Sequence, residues 1–345
     1  MRILRVGFTH GDINGIGLEM IAKILSAPEM LEICTPIIFS DSNCFQTTVR
    51  TLELEAPVQP EIIRNPADAK DGRINLVNVC KPSPAIEWGQ QTEAALQAEA
   101  SSLNAAIDAF KKKSIDLLVS APGNLDNDAD SHSMSDFVRQ ALGSDASDFD
   151  WVVSERLRTI KLHSVTSSTE LGEDFAVEAL MSDIRKIYNQ LREDLSEIRP
   201  RMVVLSGNMR LADKIHELQE EGVTVFGPFE AAGFIEAGNL QHYDAVLFLD
   251  EEDARHKLLK SLDPSLTYGY VSGLPLILTY PLTGISYPIA GKNAADETAL
   301  RNALYAAIDT FRNREAFAQA TYKPLEKQWV PKGRDDYKLD LSKEE

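Results

Sequence analysis

The strongest constraint on the fold is a glycine-containing turn near the start of the chain, residues 11–17, with the sequence GDINGIG. It follows an apolar run at 3–8 that predicts a buried strand, and it precedes residues 18–25, whose apolar side chains recur at helical spacing. A strand that turns through glycines into a helix leaves free backbone N–H groups beside the positive end of the helix dipole. The spacing is that of neither the dinucleotide fingerprint nor a P-loop. The turn therefore predicts either a tight structural connection or a site for an anion or a carbonyl group.

Short β-branched runs alternate with longer segments of helical period along the chain. The predicted strands after the first are 35–39, 74–79, 115–120, 202–206, 223–226, 245–250 and 276–279. The predicted helices after the first are 92–113, 175–197, 211–221 and 296–311. This alternation is typical of an α/β fold with a largely parallel sheet. We expect the charged helix at 175–197 on the surface or at a subunit contact, and we expect the polar tail from Lys323 to fray.

Composition and charge exclude several classes of protein. A chain of 345 residues exceeds the size that one core usually serves, which predicts two lobes. The net charge of −18 is spread along the sequence, and no basic tract is longer than the lysines at 111–113, so we expect no nucleic-acid partner. No apolar run approaches the roughly 20 residues of a membrane span, and the first residues lack the pattern of a signal peptide. The three cysteines form no C-x-x-C pair, which favours a cytoplasmic protein without disulfides or a zinc site.

Several motifs, taken together in their order and spacing, resemble the 4-hydroxythreonine-4-phosphate dehydrogenase family of vitamin B6 synthesis. The segment GDINGIGLE at 11–19 resembles the family's opening G-D-x-x-G-I-G-x-E, and SAPGN at 120–124 resembles its T-A-P-I-N. Further matching segments are WGQQTEAA at 88–95, GPF at 227–229, GLP at 273–275 and IAGK at 289–292. The resemblance covers residues 3–325.

The resemblance implies a two-lobed α/β/α fold of the isocitrate and isopropylmalate dehydrogenase type, assembled as a homodimer. We expect one lobe from residues 1–125 plus 276–345, and a central lobe with the dimer contact from 126–275. Family enzymes bind NAD or NADP and a divalent metal, and they oxidise a hydroxyl group to a ketone before decarboxylation. The metal acts as a Lewis acid on the hydroxyl and the neighbouring carbonyl oxygens.

The three histidines that hold this metal in the family have no counterpart here in an ungapped match. Their positions are occupied by Val165, Arg210 and Glu251. Valine has no donor atom, and a protonated guanidinium has no lone pair for a cation. Glu251 belongs to an acidic run at 250–253, which fits either a solvated turn or carboxylate ligands to Mg²⁺ or Mn²⁺. His163 replaces Val165 only through a register shift, so we expect no divalent metal.

The positions that bind the substrate phosphate in the family are also changed. Its G-H-T segment corresponds to SMS at 133–135, which keeps a hydroxyl group at Ser135, and the lysine of its A-P-F-K segment maps to Leu259 beside Lys260. Five further polar positions of the family are occupied by Leu125, Ala232, Gly269, Leu278 and Thr283. A phosphate dianion without lysine, arginine or histidine partners has lost its main electrostatic support.

The loop that helps to bind the dinucleotide in related enzymes is kept as IAGKN at 289–293. The resemblance makes Gly284, Gly291, Lys292 and Asn293 the candidates for contact with NAD or NADP. A purely structural connection is the alternative interpretation of this loop, and both stay open. The candidates for the cleft wall and the substrate are Asp12, Asn14, Gly15, Ser135 and Lys260.

Three functions are compatible with these residues. The first is a non-catalytic or repurposed relative that binds another small ligand in the inherited cleft, because scaffold motifs are kept while polar site residues are lost. The second is an active NAD(P)-dependent, metal-assisted dehydrogenase and decarboxylase of a phosphorylated hydroxy amino acid, as in pyridoxal phosphate synthesis, or of a related hydroxy acid. The third is a structural partner for an active paralogue. The first is the function that we expect.

Overall fold

The computed structural model describes residues 2–52, 54, 58–124, 134–143, 149–155, 157–162, 173–249 and 251–322. The strands in these residues are β1 (Leu4–Thr9), β2 (Cys34–Ser40), β3 (Glu61–Ile63), β4 (Asn75–Asn78), β5 (Leu117–Ser120), β6 (Phe149–Ser154), β7 (Leu157–Lys161), β8 (Met202–Leu205), β9 (Val225–Phe229), β10 (Ala245–Phe248), β11 (Thr267–Ser272) and β12 (Leu278–Pro281). The helices in these residues are α1 (Gly17–Leu25), α2 (Met30–Ile33), α3 (Ser42–Thr51), α4 (Glu93–Lys111), α5 (Met134–Leu142), α6 (Glu173–Asp194), α7 (Ala212–Glu220), α8 (Ala231–Glu236), α9 (Glu252–Ser261) and α10 (Thr298–Thr321).

The strands pair into a single mixed sheet in the order β3-β4-β2-β1-β5-β12-β11-β6-β7-β10-β8-β9. Neighbours are parallel from β3 to β12 and again from β7 to β9. Between these two runs, β11 is antiparallel to β12 and β6, and β6 is antiparallel to β7. The predicted α/β fold with a largely parallel sheet is therefore confirmed. The antiparallel centre is new, because the sequence pattern does not predict β6, β7 or β11.

The two ends of the sheet come from different parts of the chain. The six strands from β3 to β12 lie within residues 4–120 and 278–281, and the six from β11 to β9 lie within 149–272. This distribution follows the boundaries of the two predicted lobes, although the division into lobes itself stays a prediction. The predicted tail from Lys323 lies outside the described residues. Among the described helices, none is both long and apolar enough to span a bilayer.

The strands at the middle of the first parallel run are buried on both faces. Every residue of β2 is buried, as expected for a parallel strand with helices on either side. Helix α4 lies over this part of the sheet and is capped at its N-terminus by Thr92, whose hydroxyl accepts a hydrogen bond from the N–H of Ala95 at 3.2 Å. Its buried face carries four alanines, a serine, a leucine, an isoleucine and one carboxylate, Glu99. Helix α4 therefore brings a charged group into the interior at the end of β5.

The end of α6 carries a buried ionic cluster centred on Asp194. Its carboxylate accepts hydrogen bonds from the Tyr270 hydroxyl on β11 and from Arg314 on α10, where Nε lies 2.5 Å from Oδ1 and Nη2 lies 3.2 Å from Oδ2. Only 3% of the Asp194 side chain and 20% of the Arg314 side chain are exposed. The helix predicted at 175–197 therefore has a packed face, and this cluster joins α6, α10 and β11.

Replacing Arg314 by methionine should leave the buried Asp194 carboxylate without its cation. Removing one partner of a buried ion pair costs about 3–5 kcal/mol of unfolding free energy, because the remaining charge stays desolvated. Urea unfolding measures this loss. The control is Arg312→Met, at an exposed arginine whose Asp309 partner is also exposed, and it should cost under about 1 kcal/mol. Equal losses in the two variants would contradict the role of the cluster.

A buried histidine, His10, follows the last residue of β1. It has no exposed surface, and its Nδ1 lies 2.7 Å from the carbonyl oxygen of Gly11, so this nitrogen donates. Its Nε2 has no hydrogen-bond partner among the described residues. Burial lowers the pKa of His10 to about 4. The imidazole is therefore neutral in the folded protein near neutral pH.

The titration of His10 should make the fold less stable as the pH falls from about 6.5 toward 4. In this window the unfolded chain binds a proton that the folded protein does not, so the unfolding free energy drops by up to about 1.4 kcal/mol per pH unit. The variant His10→Asn keeps a donor for Gly11 and should lose this component. Urea unfolding at several pH values in the window, with the exposed His216→Asn as control, measures the difference. An identical pH dependence in both variants would contradict the prediction.

Candidate functional site

The turn at 11–17 packs directly against the loop that follows β5. Gly11 has φ +63°, and a Cβ there would lie 2.0 Å from the carbonyl oxygen of Pro122. A Cβ on Gly17 would lie 2.2 Å from the carbonyl oxygen of His10. Glycine is required at both positions because the backbones approach too closely for any side chain. The first sequence motif is thus the place where the loops after β1 and β5 meet.

A buried carboxylate, Asp12, ties three loops together. Its Oδ1 accepts a hydrogen bond from the N–H of Asn14 at 2.7 Å, and its Oδ2 accepts from Asn124 Nδ2 at 2.9 Å and the Tyr287 hydroxyl at 2.6 Å. Asp12 has no exposed surface. Burial and the hydrogen bond to Asp12 raise the pKa of Tyr287, so its hydroxyl stays a donor. The loops after β1, β5 and β12 therefore converge on one charge.

Asn14 and Gly15 fix the turn to two further segments. Asn14 Oδ1 accepts from the N–H of Glu87 at 2.7 Å, and its Nδ2 donates to the carbonyl oxygen of Gln90 at 2.9 Å. A Cβ on Gly15 would lie 2.4 Å from the Ile285 side chain. The structure thus brings the predicted Asp12, Asn14 and Gly15 together, with their polar atoms bonded to the protein. Their contact with a ligand stays a prediction.

Two further residues of this network, Glu99 and Tyr287, were not among the sequence candidates. Glu99 Oε2 accepts from both the backbone N–H and the Nδ2 of Asn124, each at 3.1 Å, so one amide group bridges the Glu99 and Asp12 carboxylates. At the rim, Gln91 Nε2 donates to Asn124 Oδ1 at 2.9 Å. A carboxylate on the buried alanine face of α4 is the sequence signal that identifies Glu99. Tyr287 gives no comparable signal.

The candidates for dinucleotide contact lie in the same neighbourhood, on the loop that follows β12. Gly284 has φ +67°, and no heavy atom lies within 4 Å of a Cβ placed there, whereas Gly291 packs against the Trp88 ring. Lys292 is exposed, and its Nζ donates to the carbonyl oxygen of Pro288 at 2.8 Å. Asn293 has a positive φ of 54°. The loop therefore presents open space at Gly284 and a cation at Lys292.

A second observation bears on whether this loop fits a nucleotide. The Thr283 Oγ1 is buried and has no hydrogen-bond partner among the described residues. A buried hydroxyl without a partner costs free energy unless another molecule completes it. Thr283 directly precedes Gly284 in the chain, so this loop carries a buried hydroxyl without a hydrogen bond to any described residue next to its open glycine.

Ser135 and Lys260 belong to a different region from Asp12. The Ser135 hydroxyl donates to Asp150 Oδ2 at 2.7 Å, beside the mostly buried Arg255 of α9, whose electrostatic partners include Asp150. Lys260 is exposed in the last turn of α9. Ser135 lies on α5 and Lys260 on α9, whereas the Asp12 network lies on the loops after β1, β5 and β12. The five cleft candidates therefore divide into two groups, and Arg255 is a cation that sequence reasoning missed.

Two of the three positions that hold metal-binding histidines in the family are described, and they lie on the loops after the neighbouring strands β8 and β10. Arg210 is exposed after β8, and its backbone N–H donates to Asn208 Oδ1 at 3.2 Å. Glu251 precedes α9, and its carboxylate lies 3.7 Å from a Cβ placed on Gly207. No ion pair joins Arg210 to Glu251 in the described residues. Val165, His163 and Asp250 lie outside them.

The side chains at the two described family positions, Arg210 and Glu251, do not form a set of metal ligands. Among the described residues, no three His, Cys, Asp or Glu side chains lie close enough together to hold an ion. Of the two described family positions, only Glu251 carries an oxygen ligand, because the Arg210 guanidinium has no lone pair. Helix α7 begins at Ala212, directly after this loop, as predicted from the sequence.

Comparison with known proteins identifies relatives over nearly the whole chain. The chain is 30% identical to a 4-hydroxythreonine-4-phosphate dehydrogenase from Bacteroides thetaiotaomicron, over 98% of this chain and 97% of that protein. It is 24% identical to a D-threonate 4-phosphate dehydrogenase from Cupriavidus necator, over 87% of this chain and 95% of the relative. Relatives of similar length thus differ in the phosphorylated substrate that their names give.

Solved structures share the fold. A putative 4-hydroxythreonine-4-phosphate dehydrogenase from Salmonella typhimurium superposes with a TM-score of 0.66 at 20% identity, covering 89% of this chain and 99% of that one. The enzyme of the same name from Burkholderia phymatum superposes with a TM-score of 0.62 at 22% identity, covering 90% and 99%. Residues 32–307 match the family described as pyridoxal phosphate biosynthetic protein PdxA. The chain belongs to the PdxA family.

Proposed function

We propose that this chain binds a small ligand and a nicotinamide dinucleotide in the inherited cleft, without the metal-assisted oxidation of its family. The observation that carries the proposal is Arg210. An exposed guanidinium occupies a position at which the family has a metal-binding histidine, on a loop beside Glu251. A cation at this place repels a divalent metal and offers it no lone pair. The apolar Val165 at another of the three positions supports the same conclusion.

The dinucleotide part of the proposal rests on the loop after β12. The residues that would hold the cofactor are Thr283, through its unpartnered hydroxyl, Gly284, Lys292 and Asn293. A bound NAD or NADP supplies a hydride acceptor. The chain's own contribution is to position it, with Lys292 near its phosphates and the buried Asp12 network as a rigid wall behind the loop.

A second candidate function is an active NAD(P)-dependent dehydrogenase of a phosphorylated hydroxy acid. The comparisons favour it, because relatives that match nearly the full length carry such names. In this case Glu251 supplies a carboxylate ligand, and Mg²⁺ or Mn²⁺ are the metals that suit it. For either function we propose a homodimer, from the family resemblance, and a cytoplasmic location, from three buried free cysteines.

An activity assay separates the two functions. We expect no NAD or NADP reduction above the blank rate with 4-hydroxythreonine 4-phosphate or D-threonate 4-phosphate, in the presence of Mg²⁺, Mn²⁺ or Zn²⁺, because the described residues hold no complete ligand set. Reduction that falls about 10–100-fold in Glu251→Gln, and not in the exposed control Glu220→Gln, would establish the second function instead. Circular dichroism of each variant checks that the fold is retained.

Dinucleotide binding is a separate prediction. Calorimetry should detect saturable NAD or NADP binding without added metal, and Lys292→Ala should weaken it about tenfold, since a charge-assisted contact to phosphate contributes more than about 1.4 kcal/mol. The control is Lys257→Ala, at an exposed lysine on α9. Absent binding would favour the purely structural interpretation of the loop, and so would equal affinity in both variants.

A further inference from the structure

A surface cavity of about 440 Å³ lies between the C-terminal half of α6 and the turn that joins α7 to β9. Its lining includes three arginines, Arg185, Arg192 and Arg199, but only one carboxylate, Glu221. A surplus of positive charge is unexpected on a chain whose net charge is −18. We propose that this cavity is a binding site for a small phosphorylated molecule.

The sequence builds one wall of the cavity from a single helical face. Tyr188, Asn189 and Arg192 lie three, four and seven residues after Arg185, which places all four on the same side of α6. The opposite side of the helix packs into the core. The polar face is therefore turned outward as a continuous strip of hydrogen-bond donors.

The loops on either side complete the cavity. After α6 the chain turns at Ser196, which has φ +56°, and then presents Ile198 and Arg199 before β8 begins. Across the cavity, Gly222 has φ +92°, and no heavy atom lies within 4 Å of a Cβ placed there. The turn after α7 thus leaves the opening free.

The charges of the three arginines are not equally available. Arg185 forms two hydrogen bonds of 2.6 Å to Glu221, through Nε and Nη2, and this contact raises its pKa. Among the described residues, Arg192 and Arg199 have neither a carboxylate within 4.0 Å nor a hydrogen-bond acceptor, and the Arg192 guanidinium lies 6.0 Å from the Phe317 ring. Two guanidinium groups therefore face the cavity without an anion.

The chemistry of these groups selects the ligand. A guanidinium fork matches the oxygen spacing of a phosphate group, and charge-assisted bonds of this kind are stronger than neutral ones. A volume of about 440 Å³ lies within the range for small-molecule sites. Ile198, a residue that is 85% exposed, offers apolar contact to the organic part of such a molecule. The cavity thus fits a phosphate ester better than inorganic phosphate alone.

This site is separate from the cleft. Its loops lead into the amino ends of β8 and β9, whereas Arg210 and Glu251 follow the carboxyl ends of β8 and β10. None of the residues that line it belongs to the Asp12 network. The proposal therefore does not depend on the proposed function.

Calorimetric titration with glycerol phosphate and with inorganic phosphate, at constant ionic strength, tests the proposal. We expect saturable binding of glycerol phosphate by the full chain, weakened at least tenfold in the double variant Arg192→Gln/Arg199→Gln. The matched control is Arg50→Gln/Arg312→Gln, at two exposed arginines elsewhere, which should bind as the original protein does. All four positions are exposed, so thermal unfolding in chloride buffer should be unchanged.

Two further variants, at Glu221 and Ile198, test the charge and the apolar contact of the cavity separately. Glu221→Gln frees Arg185 and should tighten binding about 2- to 5-fold, since an exposed ion pair contributes up to about 1 kcal/mol. Ile198→Ser should weaken glycerol phosphate binding and leave inorganic phosphate unaffected. The proposal fails if no saturable binding occurs, or if the double arginine variant binds as tightly as its control.

Discussion

The candidate site depends on the hydrogen bonds that the buried Asp12 carboxylate accepts. It lies in the turn after β1, and two of its three donors come from the loops after β5 and β12, which are far apart in the sequence. A fully buried charge is tolerated only when its hydrogen-bond partners are in place, so the three loops are ordered together. Asn124 extends the same constraint to Glu99 of α4. The loops after β1, β5 and β12 are thus held together by one hydrogen-bond network.

The glycines of the turn are required by packing around this charge. A side chain at Gly11 or Gly17 would overlap the carbonyl oxygen of Pro122 or His10. These glycines are therefore demanded by the fold, whatever reaction the cleft carries out. The family's most recognisable motif is consequently a sign of a shared scaffold, and a shared scaffold does not establish a shared reaction.

Sequence pattern predicted the elements whose signals are local. The apolar runs at β1, β8 and β10 and the helical period of α4 were each found to within a few residues. The antiparallel strands β6, β7 and β11 were missed, because their stability comes from cross-strand partners that are remote in the sequence. Dependence on contacts remote in the sequence also explains which site residues were predicted and which were missed. Asp12 was visible in a motif, whereas the Tyr287 hydroxyl acquires its role only when the loop after β12 folds back onto β1.

In the loops after β8 and β10, the backbone arrangement is set by strand pairing and is independent of the side chains that the loops carry. Parallel pairing of these strands brings the two loops together, and the Glu251 carboxylate lies 3.7 Å from a Cβ placed on Gly207, three residues before Arg210. Backbone pairing does this without regard to side chains, and it does not restore a lone pair to Arg210. The strand order and the buried core therefore do not depend on which side chains stand at positions 210 and 251. For this reason membership of the PdxA family explains the scaffold, whereas a reaction also depends on the side chains that these loops carry.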